Sequence, residues 1–249
     1  MTLLRNKTLI LTGASMGIGA ALAEELANEG VNLVLNARTR DKLLAVRDRC
    51  RELGVHADCV AGDAADDAVA AQLVDAALSL GDFFGFIHAA GMLAPGPAIW
   101  ELSAERFSEV VNASLIAAHQ LMRHAVPPLL EQGEGLAVFF GSGAADRPQT
   151  GIGAYCAAKA GEEHLARQLA NEAPAVTTVI WRPGVVETRM QADARKAEGS
   201  AAAPLREVFT SWQRDGLLLT PQQSSRGLVD FLLGDPAAYH GKVADIRKI

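Results

Sequence analysis

The sequence predicts an α/β fold in which a doubly wound parallel sheet is covered by helices on both faces, giving three layers. Short β-branched, apolar runs alternate with longer segments of helical period along the 249 residues, which is the pattern of βαβ units. The runs are nearly continuous in apolar residues, as strands covered on both faces are. Since no Ser- or Pro-rich linker and no internal repeat divides the sequence, we expect a single domain over residues 1–249.

The elements follow in order from this alternation. Residues 8–11 are predicted to form the first strand, residues 17–30 a helix, and residues 33–35 a second strand. Further strands are predicted at residues 55–60, 84–88, 136–140, 176–181 and 243–246, with helices between them.

One late segment departs from the pattern. From residue 187 to 219 the sequence becomes Ala-rich, polar and irregular, with Phe209 and Trp212 as isolated large apolar residues. We expect this segment to be a mobile lid over a substrate pocket, and a plain surface excursion is the alternative.

Composition and charge exclude several classes of function. The chain has 23 Lys and Arg against 29 Asp and Glu, a formal charge of −6, so it lacks the basic surface that nucleic-acid binding requires. The uncharged stretch 83–100 is broken by glycines and prolines and does not predict a membrane helix. The glycines within residues 8–23 likewise favour a strand-to-helix turn over an export signal.

The cysteines indicate a reducing compartment. There are 3 of them, Cys50, Cys59 and Cys156, and an odd number without zinc-ligand spacing favours free thiols. We therefore expect a cytoplasmic protein that binds no metal.

A glycine-rich turn follows the first predicted strand. Residues 12–19 read TGASMGIG, and glycines at this point let the backbone approach a pyrophosphate at a positively polarised helix N-terminus. The spacing GxxxGxG is a weak signal alone, because a bare tight turn has the same residues.

Three groups able to handle a proton are predicted to converge. Tyr155 and Lys159 are one helical turn apart and share a helix face, where the ammonium favours the ionised phenol. Ser142 directly follows the apolar strand 136–140, and a hydroxyl at the carboxyl end of a strand faces the ligand crevice.

In these motifs and their order the sequence resembles the short-chain dehydrogenases/reductases, from about Lys7 to Ile246. Members of that family have a TGxxxGxG turn, an acidic residue after the third strand, an Asn in the fourth helix, a Ser, a YxxxK pair and a PGxxxT segment. In this sequence the matching positions are residues 12–19, Asp63, Asn112, Ser142, Tyr155 with Lys159, and residues 183–188. The resemblance implies a Rossmann-type fold and a nicotinamide cofactor.

The resemblance assigns the catalytic roles to four residues. Tyr155 is expected to exchange a proton with the reacting oxygen, which Ser142 also holds. Lys159 is expected to bind the nicotinamide ribose and assist Tyr155. Asn112 is expected to bind a water that links Lys159 to solvent, and a solvent-facing helix residue is the alternative for it.

The same resemblance gives the cofactor contacts. Asp63 is expected to accept a hydrogen bond from the adenine amino group, with a helix N-cap as its alternative role. Thr188 and the Val186 backbone are expected to hold the carboxamide. The predicted cofactor-binding residues are Gly13, Ser15, Met16, Gly17, Ile18, Gly19, Arg38, Asp63, Ala90, Gly91, Tyr155, Lys159, Pro183, Gly184, Val186 and Thr188.

The end of the second strand predicts NADP(H) as the cofactor. Ala37 stands where NAD-preferring relatives have Asp or Glu, and Arg38 can pair with a 2′-phosphate. Ser15 can add a hydroxyl, whereas Met16 stands where many NADP-preferring relatives have a second basic residue.

One position departs from the family pattern. Residues 88–91 read HAAG where an NNAG-like sequence is common, so the hydrogen bonds of the Asn side chains are missing. We interpret His88 as a hydrogen-bonded residue at a strand end, because Tyr155 already supplies the proton-transfer group.

The last quarter of the sequence resembles the sepiapterin reductase and benzil reductase branch, which reduces vicinal dicarbonyls and related ketones with NADPH. Arg189 replaces an acidic residue often found there, which argues against a pterin. Asp245 aligns with an acid that anchors pterins, or is a structural strand-end residue.

We therefore expect an NADPH-dependent reductase of a small ketone or vicinal dicarbonyl. An NAD(P)-dependent alcohol dehydrogenase that works in the oxidative direction uses the same residues and remains an alternative. A dinucleotide-sensing regulator without turnover is an alternative of another class. The Ala- and Leu-rich faces of the helices that contain Asn112 and Tyr155 predict a homodimer, with a tetramer as the alternative.

Overall fold

The structure, a computed structural model, describes residues 4–249 and contains one sheet of parallel strands. In chain order the strands are β1 (Thr8–Thr12), β2 (Asn32–Ala37), β3 (Ala57–Ala61), β4 (Phe83–His88), β5 (Gly135–Phe140), β6 (Val176–Arg182) and β7 (Val243–Asp245). Their order across the sheet is β3-β2-β1-β4-β5-β6-β7. Strands β2 and β3 are added on one side of β1, and strands β4 to β7 on the other side. At such a switch in strand order, a ligand crevice is expected outside the carboxyl ends of β1 and β4.

Helices connect the strands and cover both faces. They are α1 (Gly17–Asn28), α2 (Arg40–Glu52), α3 (Asp67–Leu80), α4 (Ala104–Val111), α5 (Ala117–Gln132), α6 (Gly153–Glu172), α7 (Arg189–Arg195), α8 (Ala202–Arg214) and α9 (Pro221–Leu233). A π-helical turn (Asn112–Ile116) joins α4 to α5, and short 3₁₀ turns occupy Gly143–Ala145 and Pro236–Tyr239. Within residues 4–249, every helix is too short or too polar to span a bilayer.

Two apolar cores lie on opposite faces of the sheet. Side chains alternate along β1, so that Leu9 and Leu11 enter the core under α1, α2 and α9, whereas Ile10 enters the core under α3, α5 and α6. All three are completely buried, and each such side chain contributes roughly 1.5–3 kcal/mol to folding. The predicted three-layer, doubly wound parallel sheet is confirmed.

The element boundaries differ from the prediction by a few residues. Helix α1 ends at Asn28, and Gly30 turns the chain with a φ of 80°. Strand β3 spans Ala57–Ala61, two residues later than the start that we predicted.

The segment 187–219, whose sequence is irregular, contains the two helices α7 and α8. Leu205, Phe209 and Trp212 of α8 recur at i, i+4 and i+7, which places them on one helix face. The rings of Phe209 and Trp212 are 4.8 Å apart. We call residues 187–219 the lid segment. Its two ends meet at the base, where Glu187 donates a backbone hydrogen bond to Leu219 at 2.9 Å.

Candidate active site

The glycine-rich turn between β1 and α1 has no room for side chains at two positions. Gly13 has a φ of 70°, and a Cβ there would lie 2.9 Å from the carbonyl oxygen of Ala89. A Cβ on Gly19 would overlap the carbonyl oxygen of Gly13. Met16, at the N-cap of α1, provides no capping hydrogen bond from its side chain. The first N–H groups of α1 are therefore free to bind an anionic ligand.

The loops after β1, β2 and β3 are tied together by Asn36. This buried side chain donates hydrogen bonds to the carbonyl oxygens of Val60 at 3.0 Å and Gly62 at 3.2 Å. The backbone carbonyl of Asn36 accepts from the backbone N–H of Ala14 at 3.0 Å. We did not single out Asn36 from the sequence, although a polar residue inside an apolar strand is a readable signal.

Arg38 follows directly after β2 and is exposed. Within residues 4–249 its guanidinium has no hydrogen-bond or ion-pair partner, so it is available to an external anion. The preceding Ala37 is buried, and no carboxylate occupies that position.

Asp63 is exposed beyond the end of β3, and its Oδ1 accepts a hydrogen bond from the backbone N–H of Ala65 at 3.0 Å. The N-cap of α3 is Asp66, whose side chain accepts from Ala68. The alternative role of Asp63 as a helix N-cap is therefore wrong.

His88 is fully buried and uses both ring nitrogens. Its Nε2 lies 2.9 Å from the carbonyl oxygen of Ser114, and its Nδ1 lies 2.9 Å from Oγ1 of Thr12. Since a carbonyl can only accept, Nε2 has the proton and Nδ1 accepts from Thr12. Burial, and secondarily the Lys159 ammonium, lowers the pKa of His88 to about 3. The ring is thus a neutral structural link between the glycine turn and the π-helical turn, as we interpreted it from the sequence.

The structure does not bring Asn112 to the catalytic group. Asn112 begins the π-helical turn with an exposed side chain, whereas Ser114, two residues later, is completely buried. A Cβ on Gly91 would lie 3.6 Å from Oγ of Ser114 and 3.7 Å from Nζ of Lys159, so both groups line the same small space. Oγ of Ser114 has no hydrogen-bond partner among the described residues. Ser114, and not Asn112, is the polar side chain of this turn that faces Lys159.

Helical geometry explains why Ser114, and not the predicted Asn112, faces Lys159. Residues two apart on a helix point in directions about 200° apart. The buried face of this region follows a helical period, which Ser114 fits and Asn112 does not; its members are Val110, Ser114, Ala117, Ala118, Leu121, Ala125 and Leu129. That period was the signal that could have identified Ser114.

Ser142 follows β5 and begins a 3₁₀ turn. Its Oγ accepts a hydrogen bond from the backbone N–H of Ala144 at 3.2 Å. The hydroxyl proton is not needed for this contact, so it can be donated to a ligand.

A buried ion-pair network, which we did not predict, fixes the backbone of Ser142. Oε1 of Glu163 accepts from the backbone N–H of Ser142 at 3.1 Å and from Nε of Arg182 at 2.9 Å. Nη1 of Arg182 also donates to Asp146 at 2.6 Å. The hydrogen bond from Arg182 lowers the pKa of Asp146. The network connects α6, β6 and the loop after β5, through contacts between residues 19 or more positions apart.

Tyr155 and Lys159 lie on one face of α6, as their spacing predicts. Nζ of Lys159 is 5.9 Å from the centroid of the Tyr155 ring. It donates hydrogen bonds to the Phe140 carbonyl at 2.8 Å and to Oε2 of Glu162 at 2.7 Å. Burial lowers the pKa of Lys159, but Glu162, Tyr155 and Glu163 outweigh burial and the net effect is a raised pKa.

The segment after β6 closes the site opposite the glycine turn. Gly184 has a φ of 80°, and a Cβ on Gly17 would touch the Thr188 methyl group at 3.4 Å. Val186 is buried and pairs with Leu219 at the base of the lid segment.

One cavity of about 780 Å³ joins these groups at the carboxyl ends of β4, β5 and β6. Of the predicted site residues, its lining includes Ile18, Ala90, Gly91, Ser142, Tyr155, Lys159, Pro183, Gly184, Val186 and Thr188. The lid segment adds an apolar wall that includes Met190, Phe209 and Trp212. Outside the lining lie Gly13, Ser15, Met16, Arg38 and Asp63, in the turns after β1, β2 and β3, and Gly17 and Gly19, in the first turn of α1.

Comparison with known proteins identifies relatives over most of the chain. The sequence pattern of the short chain dehydrogenase family matches residues 7–199. An NADPH-dependent pterin aldehyde reductase of Arabidopsis thaliana is 29% identical, covering 74% of this chain and 76% of that protein. A benzil reductase of Saccharomyces cerevisiae that forms (S)-benzoin is 30% identical, covering 95% and 94%.

The fold matches a solved structure equally well. The crystal structure of a short-chain dehydrogenase/reductase from Saccharomyces cerevisiae has a TM-score of 0.86 and 25% identity, covering 98% of this chain and 97% of that one.

Proposed function

The chain belongs to the short-chain dehydrogenase family of oxidoreductases, and on that premise we propose that it reduces a small ketone or vicinal dicarbonyl to the alcohol with NADPH. The observation that carries the proposal is the single cavity in which Ser142, Tyr155 and Lys159 face an apolar lid wall. A proton donor, a second hydrogen-bond donor and a cation beside an apolar pocket suit a carbonyl group attached to apolar substituents.

The residues present fit a nicotinamide dinucleotide. At Gly13 and Gly19 any side chain would collide with backbone, so glycine allows the tight turn that leads into α1, and the α1 N-terminus offers free N–H groups for a pyrophosphate. When bound, the cofactor supplies the hydride. The exposed Arg38 guanidinium would pair with the 2′-phosphate of NADPH, and no acid stands at Ala37 to bind the ribose of NADH.

Side chains of the protein bind and protonate the substrate oxygen. Tyr155 donates its phenol proton to that oxygen, and the free hydroxyl proton of Ser142 donates a hydrogen bond to it. Lys159 uses two of its three protons on Phe140 and Glu162, so the third is free for a ribose hydroxyl of the cofactor.

The cavity favours a dicarbonyl over a pterin. Asp245 lines the cavity, but its carboxylate is held by Arg247 at 2.8 Å and 2.6 Å. The hydrogen bond from Arg247 lowers the pKa of Asp245. With its charge neutralised, Asp245 is a poor anchor for a pterin ring, whereas Phe209 and Trp212 suit an aryl group such as those of benzil.

We also propose that the lid segment moves to admit substrate. All three cysteines are free thiols, which suits a reducing compartment, and we propose that the protein acts in the cytoplasm.

The test is a substrate panel with purified protein, using benzil, diacetyl, a pterin aldehyde and simple alcohols. We expect NADPH to be oxidised fastest with the diketones. Turnover of alcohols alone, with NADP⁺, would indicate a dehydrogenase instead. Binding of NADPH without turnover of any compound would indicate a sensing protein.

A further inference from the structure

Glu162 is a buried carboxyl to which the proposed reaction assigns no role. It lies one helical turn beyond Lys159 on α6 and is completely buried. Its Oε2 accepts from Lys159, but its Oε1 has no hydrogen-bond partner among the described residues. A buried ion pair is often no more stabilising than apolar side chains of equal volume. Removing one partner of such a pair leaves a buried charge unpaired, so Glu162 stabilises Lys159, and it also places a carboxylate beside the ammonium that faces Tyr155.

The other groups around the pair are themselves neutral or paired, although Glu163 still acts electrostatically on both Lys159 and Glu162. From β4, His88 faces Lys159 and is neutral, because its pKa is lowered to about 3. From β6, Arg182 is paired with Glu163, the other buried acid of α6. Phe140 of β5 contributes a neutral carbonyl, and Ser114 of the π-helical turn a neutral hydroxyl. The net charge beside Tyr155 is therefore set mainly by Lys159 and Glu162.

The two charges act on the Tyr155 phenol in opposite directions. An ammonium 5.9 Å from the ring centroid stabilises the phenolate form. A carboxylate bonded to that ammonium at 2.7 Å opposes this effect.

We propose that Glu162 is a positioning residue that neutralises Lys159 and thereby keeps the phenol of Tyr155 protonated, ready to donate during reduction. The inference rests on the proposed function, in which Tyr155 is the proton donor. Burial raises the pKa of Glu162 to about 7, against the opposing effect of Lys159. Above this pH Glu162 is ionised, and its negative charge then opposes loss of the Tyr155 proton. The arrangement favours reduction at neutral and moderately alkaline pH.

The chain allows a direct test, because it contains only 2 tyrosines. Tyr239 packs edge-on against Phe231 with ring centroids 5.3 Å apart, so Tyr239→Phe is a conservative change. In that background the ultraviolet titration of tyrosine reports on Tyr155 alone and requires no enzymatic activity. Glu162→Gln removes the charge but can still accept the hydrogen bond from Lys159.

We expect Glu162→Gln to lower the midpoint of the Tyr155 titration by about one pH unit. The alkaline limb of the pH profile for diketone reduction should move in the same direction by a similar amount. The matched control is Glu172→Gln, which removes an exposed acid near the end of the same helix and should shift neither quantity.

An unchanged titration midpoint in folded Glu162→Gln, or an equal shift in Glu172→Gln, would overturn the proposal. If circular dichroism shows that Glu162→Gln is unfolded, the Tyr155 titration is done on Glu162→Met instead. The same shift then supports the proposal, and an unchanged midpoint overturns it. A shifted midpoint in a protein that reduces no carbonyl compound would support the charge balance around Tyr155 while rejecting the proposed function.

Discussion

Arg38 is the residue on which the choice of cofactor depends in our proposal. Its guanidinium is exposed and has no partner in the described part of the chain, so it can bind the 2′-phosphate that NADH lacks. Arg38→Ala should raise the KM for NADPH at least about tenfold, equivalent to roughly 1.4 kcal/mol, with little change for NADH. Steady-state kinetics with both cofactors measures this directly.

The matched control is Arg40→Ala, which removes an exposed cation two residues later, at the start of α2. It should change neither KM. Ala37→Asp should shift preference toward NADH, because the new carboxylate repels the 2′-phosphate and accepts from the ribose. A wild type that already prefers NADH, or an Arg38→Ala variant that weakens both cofactors equally, would make Arg38 an ordinary surface residue.

For individual residues, the sequence predicted the local motifs but not the contacts between separate elements. The tyrosine, the lysine one turn later and the glycine turn are each encoded within eight residues or fewer, so their spacing identifies them. Ser114 was missed because we chose Asn112 by residue type instead of by the buried period of the helix. The contact of Glu163 with Arg182 joins positions 19 residues apart, and no local pattern reveals it.

The ion pair between Glu163 of α6 and Arg182 of β6 leads to a second prediction, which concerns how these two elements are held together. Glu163 is almost completely buried and is held by Arg182 at 2.8 Å and 2.9 Å. Arg182→Met should lower the free energy of unfolding by about 3 kcal/mol, because a buried carboxylate then loses its main partner. We place the effect at the low end of the usual range because Arg167 still pairs with Glu163 at 3.1 Å. Urea denaturation is the measurement.

The control removes the other cation of the same carboxylate. Arg167 is 43% exposed, so Arg167→Met should cost less than about 1 kcal/mol. Equal losses in the two variants would indicate that burial does not distinguish these pairs.

The strands were predictable because buried parallel strands are nearly continuous apolar runs. The lid segment was not, because its apolar residues are spread through an Ala-rich stretch in which the helical period is faint. Tertiary packing makes it helical: Leu205 and Phe209 of α8 bury against Leu93 and Ile152, which lie more than 50 residues earlier in the chain.

For the whole molecule we propose a homodimer formed through α6 and its neighbour α5. Ala157, Ala160 and His164 recur along one exposed face of α6, and the two small alanine side chains let two helices approach closely across a two-fold axis. Sedimentation velocity at micromolar concentration should give twice the 26.2 kDa mass of one chain. Ala160→Arg should shift the protein toward the monomer, and a wild type that sediments only as the monomer would contradict the proposal.

The central claim is that the protein reduces carbonyl compounds with Tyr155 as the proton donor, and the Tyr155→Phe variant tests it most directly. Benzil-dependent oxidation of NADPH and equilibrium binding of NADPH are measured on the same preparations of wild type and variant. We predict that turnover falls by about two to four orders of magnitude, because the proton donor is lost, while NADPH affinity changes by less than about twofold. Turnover in Tyr155→Phe equal to that of the wild type would contradict the account.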